Sequence, residues 1–333
     1  MLTVHALLAF LPVSLFLLCL LYLDSYKLVR LRVVIQLVIA GAIGAWISLH
    51  VNDLIENSGV DRDIVLRFVA PAVEEIVKAA PVVFLISRKR IGFIVDAAIT
   101  GFAVGTGFAL FENLYYLGEL RHADAALWIV RGFGTALMHG GTIAIMAMST
   151  LAIMERRRTE SGWVAIPGLF AAFAIHSMFN HVVVSPIAST IAIVIVLPPL
   201  VVLVFAQSER YLQTWLGSGF DLDAELVRAI VSGDFGQTPA GDYLRTLRAR
   251  FAGAVMADML CYLRLRSELS LRAKGMLMLH ENGFSMKKDP DIDSKLEELR
   301  YLKRSIGKTG ELALAPILQQ SSRDLWQLQM LEG

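Results

Sequence analysis

Two cysteines in a chain of 333 residues, Cys19 and Cys261, are too few for a disulfide framework and leave no thiolate zinc site. Charge is the second scarcity. Asp, Glu, Lys and Arg together make up 18% of the residues and cancel to a net of +1. A chain so balanced has no electrostatic footprint for nucleic acid, and none is expected as a partner. The first apolar run, about Ala6 to Leu23, has no basic segment ahead of it; Lys27, Arg30 and Arg32 come after. That order argues against a secretory signal and for an uncleaved first span. Gly101 to Gly107 lacks a preceding strand and a following Lys-Ser/Thr, so it is not a phosphate loop.

What the chain has instead is apolar length. Charges are sparse in the first two-thirds and dense in the last third, which predicts a transmembrane domain over 1–206 and a cytoplasmic helical tail over 207–333. The expected fold is all-α, a polytopic membrane helix bundle of about seven spans with a C-terminal soluble helical domain. After the first run, spans are expected at about Val33–His50, Ile64–Ser87, Gly92–Leu117, Gly132–Met154, Val164–Val184 and Ala188–Ala206. Basic clusters follow spans one, three and five: Lys27/Arg30/Arg32, Arg88/Lys89/Arg90 and Arg156/Arg157/Arg158. The loop after span two, with Asp53, Glu56, Asp61 and Asp63, is mostly acidic. By the positive-inside rule the N-terminus lies outside and the C-terminus in the cytoplasm. Gly101-x-x-x-Gly105 with Gly107, and Gly41-x-x-Gly44, suit close helix packing in lipid. In the tail, Thr238-Pro239 reads as the opening of a long helix that stops near Gly283. Asp291–Ile306 is a second helix, closed by Gly307, and Thr309 starts a third. No catalytic constellation is visible there.

Four of the expected spans carry polar groups that a lipid-facing helix would not hold. Span three has Glu74, Glu75 and Lys78; span four Glu112, Asn113 and Tyr116; span five His139; span six His176 and Asn180. Each carboxylate at bilayer depth costs about 2.5–3.5 kcal/mol on insertion scales, so such residues are kept mainly for function. Glu74/Lys78, Glu112/Tyr116 and His176/Asn180 are spaced four apart, which puts each pair on one helix face. At 1.5 Å per residue, Glu112 falls roughly 8–9 Å below the outer boundary, His139 and His176 roughly 10–12 Å, and Glu75 roughly 16 Å. Carboxylates and imidazoles from four helices thus share the outer half of the membrane. Oxygen and nitrogen donors of this kind suit Zn²⁺. The assignment that follows makes Glu112, His139 and His176 ligands and Glu75 the general base. Glu74 and Lys78 support Glu75, and Tyr116 and Asn180 are placed to hold the developing oxyanion.

With Glu74-Glu75-x-x-Lys78, Phe111-Glu112-x-x-x-Tyr116, His139 and His176-x-x-x-Asn180 in order on successive spans, the chain resembles the PrsW family of intramembrane metalloproteases. That family is similar to the type II CAAX prenyl proteases and bacteriocin-processing enzymes. The resemblance covers about Arg67 to Ser185. It implies a polytopic protease of the bacterial cytoplasmic membrane, a zinc ion, and a membrane-anchored protein substrate. In the best-known branch that substrate is a single-span anti-sigma factor cut on its extracytoplasmic side. The related prenyl proteases carry histidine in the second motif where this chain has glutamate and tyrosine, which leaves the division between ligands and base open. Two other readings of the same residues stand beside it: a catalytically silent membrane scaffold, and an ion-coupled transporter. The second should show internal repeats with broken helices, and no such repeat is found.

Overall fold

The structure is a computed structural model that describes residues 2–26, 28–120, 122–157, 159, 161–181, 184–282, 284, 291–318, 326, 327 and 331. Lys27, Arg158 and Gly283, to which expectations were attached above, lie outside the described residues. Among those described there is no strand. The chain divides into two compact units, 1–208 and 209–333.

The first unit contains α1 (Leu2–Leu23), α2 (Leu31–Asn57), the short α3 (Arg62–Ile64) and, after a π-helical turn at Val65–Val69, α4 (Ala70–Ser87). Then come α5 (Ile94–Glu119), α6 (Ala125–Ile129), a second π-helical turn at Val130–Thr135, and α7 (Ala136–Arg157). The unit closes with α8 (Ile166–Asn180) and the first part of α9 (Pro186–Ser232). By length and composition, six of these stretches could cross a membrane: α1, α2, α5, the run from α6 through α7, α8 with the turn before it, and α9. The expected third span, Ile64–Ser87, is not among them because Glu74, Glu75 and Lys78 all fall within α4. Its helix is packed against α2, α5, α7 and α8 rather than turned outward.

Apolar residues are distributed as in lipid, not as in water. Leu7, Leu11, Leu15 and Leu18 of α1, and Ile35, Ile39 and Ile43 of α2, form rows of mostly three- and four-residue spacing that are all more than half exposed. Such ridges would be a large aggregation liability on a soluble protein and are the natural outer surface of a membrane bundle. The interior is instead built around α5, which touches α1, α2, α4 and α7. Small residues make that possible. A Cβ added at Gly41 would lie 2.0 Å from the Val104 carbonyl oxygen, at Gly107 1.8 Å from that of Val38, and at Gly105 2.2 Å from that of His139. The expected glycine seam is therefore backbone-to-backbone contact, the form of packing that holds helices together when lipid supplies no hydrophobic drive. Gly105→Leu is expected to push α7 off α5 at the level of His139. Overpacking of this kind costs about 1–3 kcal/mol, and a lowered melting midpoint of the purified protein, with cleavage lost in step, is the check.

Span five is longer than the sequence suggests. The helix runs from Ala125 and passes through Gly132 and Gly134 without a break, where the expected span began at Gly132. Those glycines give close approach: a Cβ at Gly132 would sit 1.8 Å from the Leu8 carbonyl oxygen. Asp96, at the start of α5, accepts the backbone N–H groups of Gly92 (3.0 Å) and Phe93 (3.2 Å) and so caps its own helix.

The second unit takes the remainder of α9, then α10 (Pro239–Thr246), α11 (Gly253–Glu281) and α12 (Asp291–Leu318) around a separate apolar core. The Thr238 hydroxyl accepts the Gly241 N–H at 3.1 Å, the cap expected there. The helix it opens is short, however, giving way to a 3₁₀ turn at Leu247–Ala249 before α11 begins. Gly307 breaks α12 with φ +65°, ψ 176°, so the two helices expected on either side of it are both present. Glu268 of α11 ties to Arg264 (2.8 Å) on its own helix and to Lys295 (3.1 Å) on α12.

Candidate active site

Polar side chains from α4, α5, α7 and α8 meet in the interior of the first unit. Two of the contributing helices are preceded by a π turn, a distortion frequent at functional sites because its widened ladder re-aims the residues that follow. At the first of these the freed carbonyls are taken up by α8: Ser177 Oγ donates to the Arg67 oxygen at 2.6 Å and Asn180 Nδ2 to that of Leu66 at 3.0 Å. Asn180, expected beside the reacting oxygen, thus docks α8 onto the segment leading into Glu74 and Glu75. That docking sets the height of His176, one turn earlier on α8.

At the centre lies Lys78, 1% exposed. Its Nζ donates to Glu75 Oε1 at 2.6 Å and stands 2.8 Å from His139 Nδ1 and 4.4 Å from the centroid of the Phe108 ring. Glu75 is fully buried, and its Oε1 also lies 2.8 Å from His176 Nδ1. A carboxylate only accepts, so His176 carries its proton on Nδ1 and leaves the Nε2 lone pair free. That Nε2 is 3.8 Å from Glu74 Oε2. Glu75 Oε2, by contrast, has no hydrogen-bond partner. The His139 and His176 rings stand edge to face with centroids 4.8 Å apart.

Glu112 approaches from α5. Its Oε2 is 3.0 Å from His139 Nε2 and its Oε1 3.3 Å from an Arg131 nitrogen. An ammonium donating to Nδ1 of a neutral His139 puts the imidazole proton on Nε2, where it is given to Glu112. Arg131 also donates from Nε to Asn113 Oδ1 at 2.9 Å and lies 3.9 Å over the Tyr116 ring. Asn113 in turn donates to the Ala9 carbonyl at 2.9 Å, tying α1 to the cluster's edge.

The structure therefore brings together Glu74, Glu75, Lys78, Glu112, His139 and His176. It leaves Tyr116 at the rim under Arg131 and Asn180 on the π turn. Sequence reasoning missed Arg131, because the fifth span was begun at Gly132, seven residues after the helix starts at Ala125; a lone arginine inside an apolar helix was the available signal. Asn113 was visible but carried no assignment.

Among the described residues, Glu74, His139 and His176 form a group of three in which one ligand atom from each lies within 4.8 Å of the other two. One oxygen and two nitrogen donors, two of their three residues fully buried, are what a divalent borderline cation takes. Glu75 behind His176 stands where an outer carboxylate would orient a ligating imidazole. The residues fit a metal, with one condition. His139 has a single lone pair, so a cation bound there takes the contact that Lys78 now makes, and Lys78 keeps Glu75. The set also differs from the expected one in offering Glu74 where Glu112 had been placed.

A family model described as PrsW family intramembrane metalloprotease matches residues 29–206. No curated protein and no solved structure matches the chain. The matched stretch holds every helix that contributes to the cluster. An interior of carboxylates and imidazoles among lipid-facing helices, inside a match covering more than half of the sequence, has one reading: this chain belongs to the PrsW family of intramembrane metalloproteases, integral membrane enzymes that use a metal to hydrolyse peptide bonds.

Proposed function

We infer that the protein is a zinc endopeptidase of the bacterial cytoplasmic membrane. Its substrate would be a membrane-anchored protein, of the single-span anti-sigma-factor kind, cut near the extracytoplasmic face. The observation that carries the reading is the convergence of Glu74, His139 and His176 donors within 4.8 Å, backed by Glu75. Nitrogen and oxygen donors with imidazole in the majority favour zinc over the harder cations. The outer-half level of the cluster rests on the basic loops and on helix rise. With α4 counted as a crossing, seven crossings put the N-terminus outside and residues 207–333 in the cytoplasm.

Glu74, His139 and His176 would hold the ion. Bound zinc supplies Lewis acidity, acidifying water and polarising a carbonyl. The chain does the rest. His176 Nδ1–H donates to Glu75 Oε1, which fixes the ring with Nε2 toward Glu74. Lys78 holds the same Oε1 and offsets the charge of the paired glutamates. Glu75 Oε2, buried and without a partner, is the oxygen that accepts the proton of the attacking water and returns it to the leaving amine. Glu112, steadied by Arg131, orients His139. Tyr116 and Arg131, at the rim, would donate to the substrate carbonyl as it develops charge.

The test is metal analysis of the purified protein together with cleavage of single-span anti-sigma factors co-reconstituted with it in nanodiscs. About one zinc per chain and a cut abolished by chelator are expected. A wild-type protein without stoichiometric metal, or one whose function survives loss of Glu75, would instead be the silent scaffold.

A further inference from the structure

The second unit contains a cavity of about 810 Å³ that the hydrolytic site does not use. That is the size of pockets that hold small organic ligands, about 300–1,000 Å³. Its walls come from α9, the start of α10, α11 and the end of α12, and all its lining residues lie between Tyr211 and Gln327. Most of the lining is apolar or aromatic, with Trp215, Leu226, Tyr243 and Ile317 among it. α11 contributes four polar groups, Arg266, Ser267, Ser270 and Lys274, each at most 4% exposed.

These groups are unequally satisfied. Lys274 is paired with Asp223 at 2.7 Å and stands 5.2 Å from the centroid of the Trp215 ring. Ser270 donates to the same Asp223 oxygen and accepts from Gln327 Nε2 at 2.8 Å. Asp223 and Lys274 therefore cancel. Glu225, the other carboxylate on the wall, is exposed. Arg266 is 4% exposed, and no described residue makes a hydrogen bond or ion pair with its guanidinium. On the same cavity's lining, the Ser267 hydroxyl and Gln327 Oε1 are buried without partners. Unpaired buried charge is strongly disfavoured and buried polar atoms nearly always find partners. A guanidinium and an unpartnered hydroxyl lining one largely apolar cavity make a receptor for an oxyanion that accepts two parallel N–H bonds.

We propose that this cavity binds a small amphipathic anion, a phosphate or carboxylate head on an apolar body. The head is held by Arg266 and Ser267, and the body lies along the walls that include Trp215, Leu226 and Ile317. Unlike the proposed protease chemistry, the proposal needs no metal and no cleavage readout, so either can fail alone.

Calorimetric titration of the full-length protein in an uncharged maltoside detergent tests it, with octyl phosphate, octanoate, inorganic phosphate and octanol as probes. Octyl phosphate or octanoate is expected to bind saturably and to raise the melting midpoint. Octanol should do neither, and inorganic phosphate should bind more weakly than its octyl ester. Arg266→Met should weaken binding at least about tenfold, as loss of a charge-assisted pair requires. Arg266→Lys, which keeps the charge but not the fork, should fall between. Without ligand, Arg266→Met should melt no lower than wild type, since it removes a buried charge that no described residue pairs; a guanidinium with a purely structural role would make it melt lower. Undiminished binding in Arg266→Met, an equal response to octanol, or no saturable response to any probe overturns the proposal. So does inorganic phosphate binding as tightly as octyl phosphate, which would leave the apolar walls without a role.

Discussion

Glu74→Gln is expected to strip the protein of its metal and of cleavage together, whereas Glu75→Gln keeps the metal and loses cleavage alone. The two residues are adjacent in sequence, yet their surroundings differ. Glu74 Oε2 faces His176 Nε2 across 3.8 Å and belongs to the group whose donor atoms lie within 4.8 Å of each other. Glu75 Oε1 is held by Lys78 at 2.6 Å and by His176 Nδ1 at 2.8 Å. A glutamine at 75 still offers a carbonyl to both donors, so the imidazole stays oriented and the ion stays bound. What goes is basicity, and removing a general base costs about 10²–10⁴-fold in rate. Glu112→Gln separates the two possible ligand sets. If Glu112 only orients His139, metal affinity and activity should drop about 10–100-fold, the usual effect of losing an outer partner. Loss of all metal in Glu112→Gln, with metal retained in Glu74→Gln, would exchange the two residues' roles. Metal content by mass spectrometry and single-turnover cleavage, measured on the same preparations, read all three outcomes.

Lys78→Met is expected to be the most destabilising single change in the first unit. It leaves Glu75, fully buried, with only a neutral imidazole for company. Breaking a buried ion pair by removing one partner costs about 3–5 kcal/mol, mostly because the surviving charge is uncompensated. The diagnostic is therefore the double variant. Lys78→Met with Glu75→Gln should recover much of the lost stability, since no charge is then stranded. Melting of the four proteins in one detergent gives the coupling directly. Additive losses would mean that Lys78 matters through its packing and its ammonium over the Phe108 ring and not through its pairing with Glu75.

Much of this arrangement was legible in the chain before any coordinates, and for a physical reason. Charge is expensive in lipid, so Glu74, Glu75, Lys78 and Glu112 announce themselves against an apolar background, and helix rise puts them at a common level. The glycine seam was legible for the same kind of reason: little else lets two backbones touch. What stayed hidden depends on three-dimensional detail that composition does not encode. The π turns at Val65–Val69 and Val130–Thr135 have no residue signature, and it is the first of them that diverts Asn180 to the Leu66 carbonyl. Arg131 was lost at a span boundary, since the expected span began at Gly132 while the helix starts at Ala125 and passes a close crossing at Gly132. Spacing could place Glu74 and Glu75 near His176, but not say which oxygen faces which nitrogen. In the tail, the 3₁₀ turn after Thr246 interrupts what periodicity read as one helix.

The contact of α5 with α2 and α7 through main-chain atoms has a mechanical consequence. Side chains can re-pack as helices slide past one another, but two polypeptide backbones pressed together at Gly41, Gly105 and Gly107 have no such give. The frame that carries Glu112 and His139 is in that sense a fixed jaw. Any doorway by which a stretched substrate reaches the buried imidazoles must be opened by helices that meet their neighbours through compliant side chains.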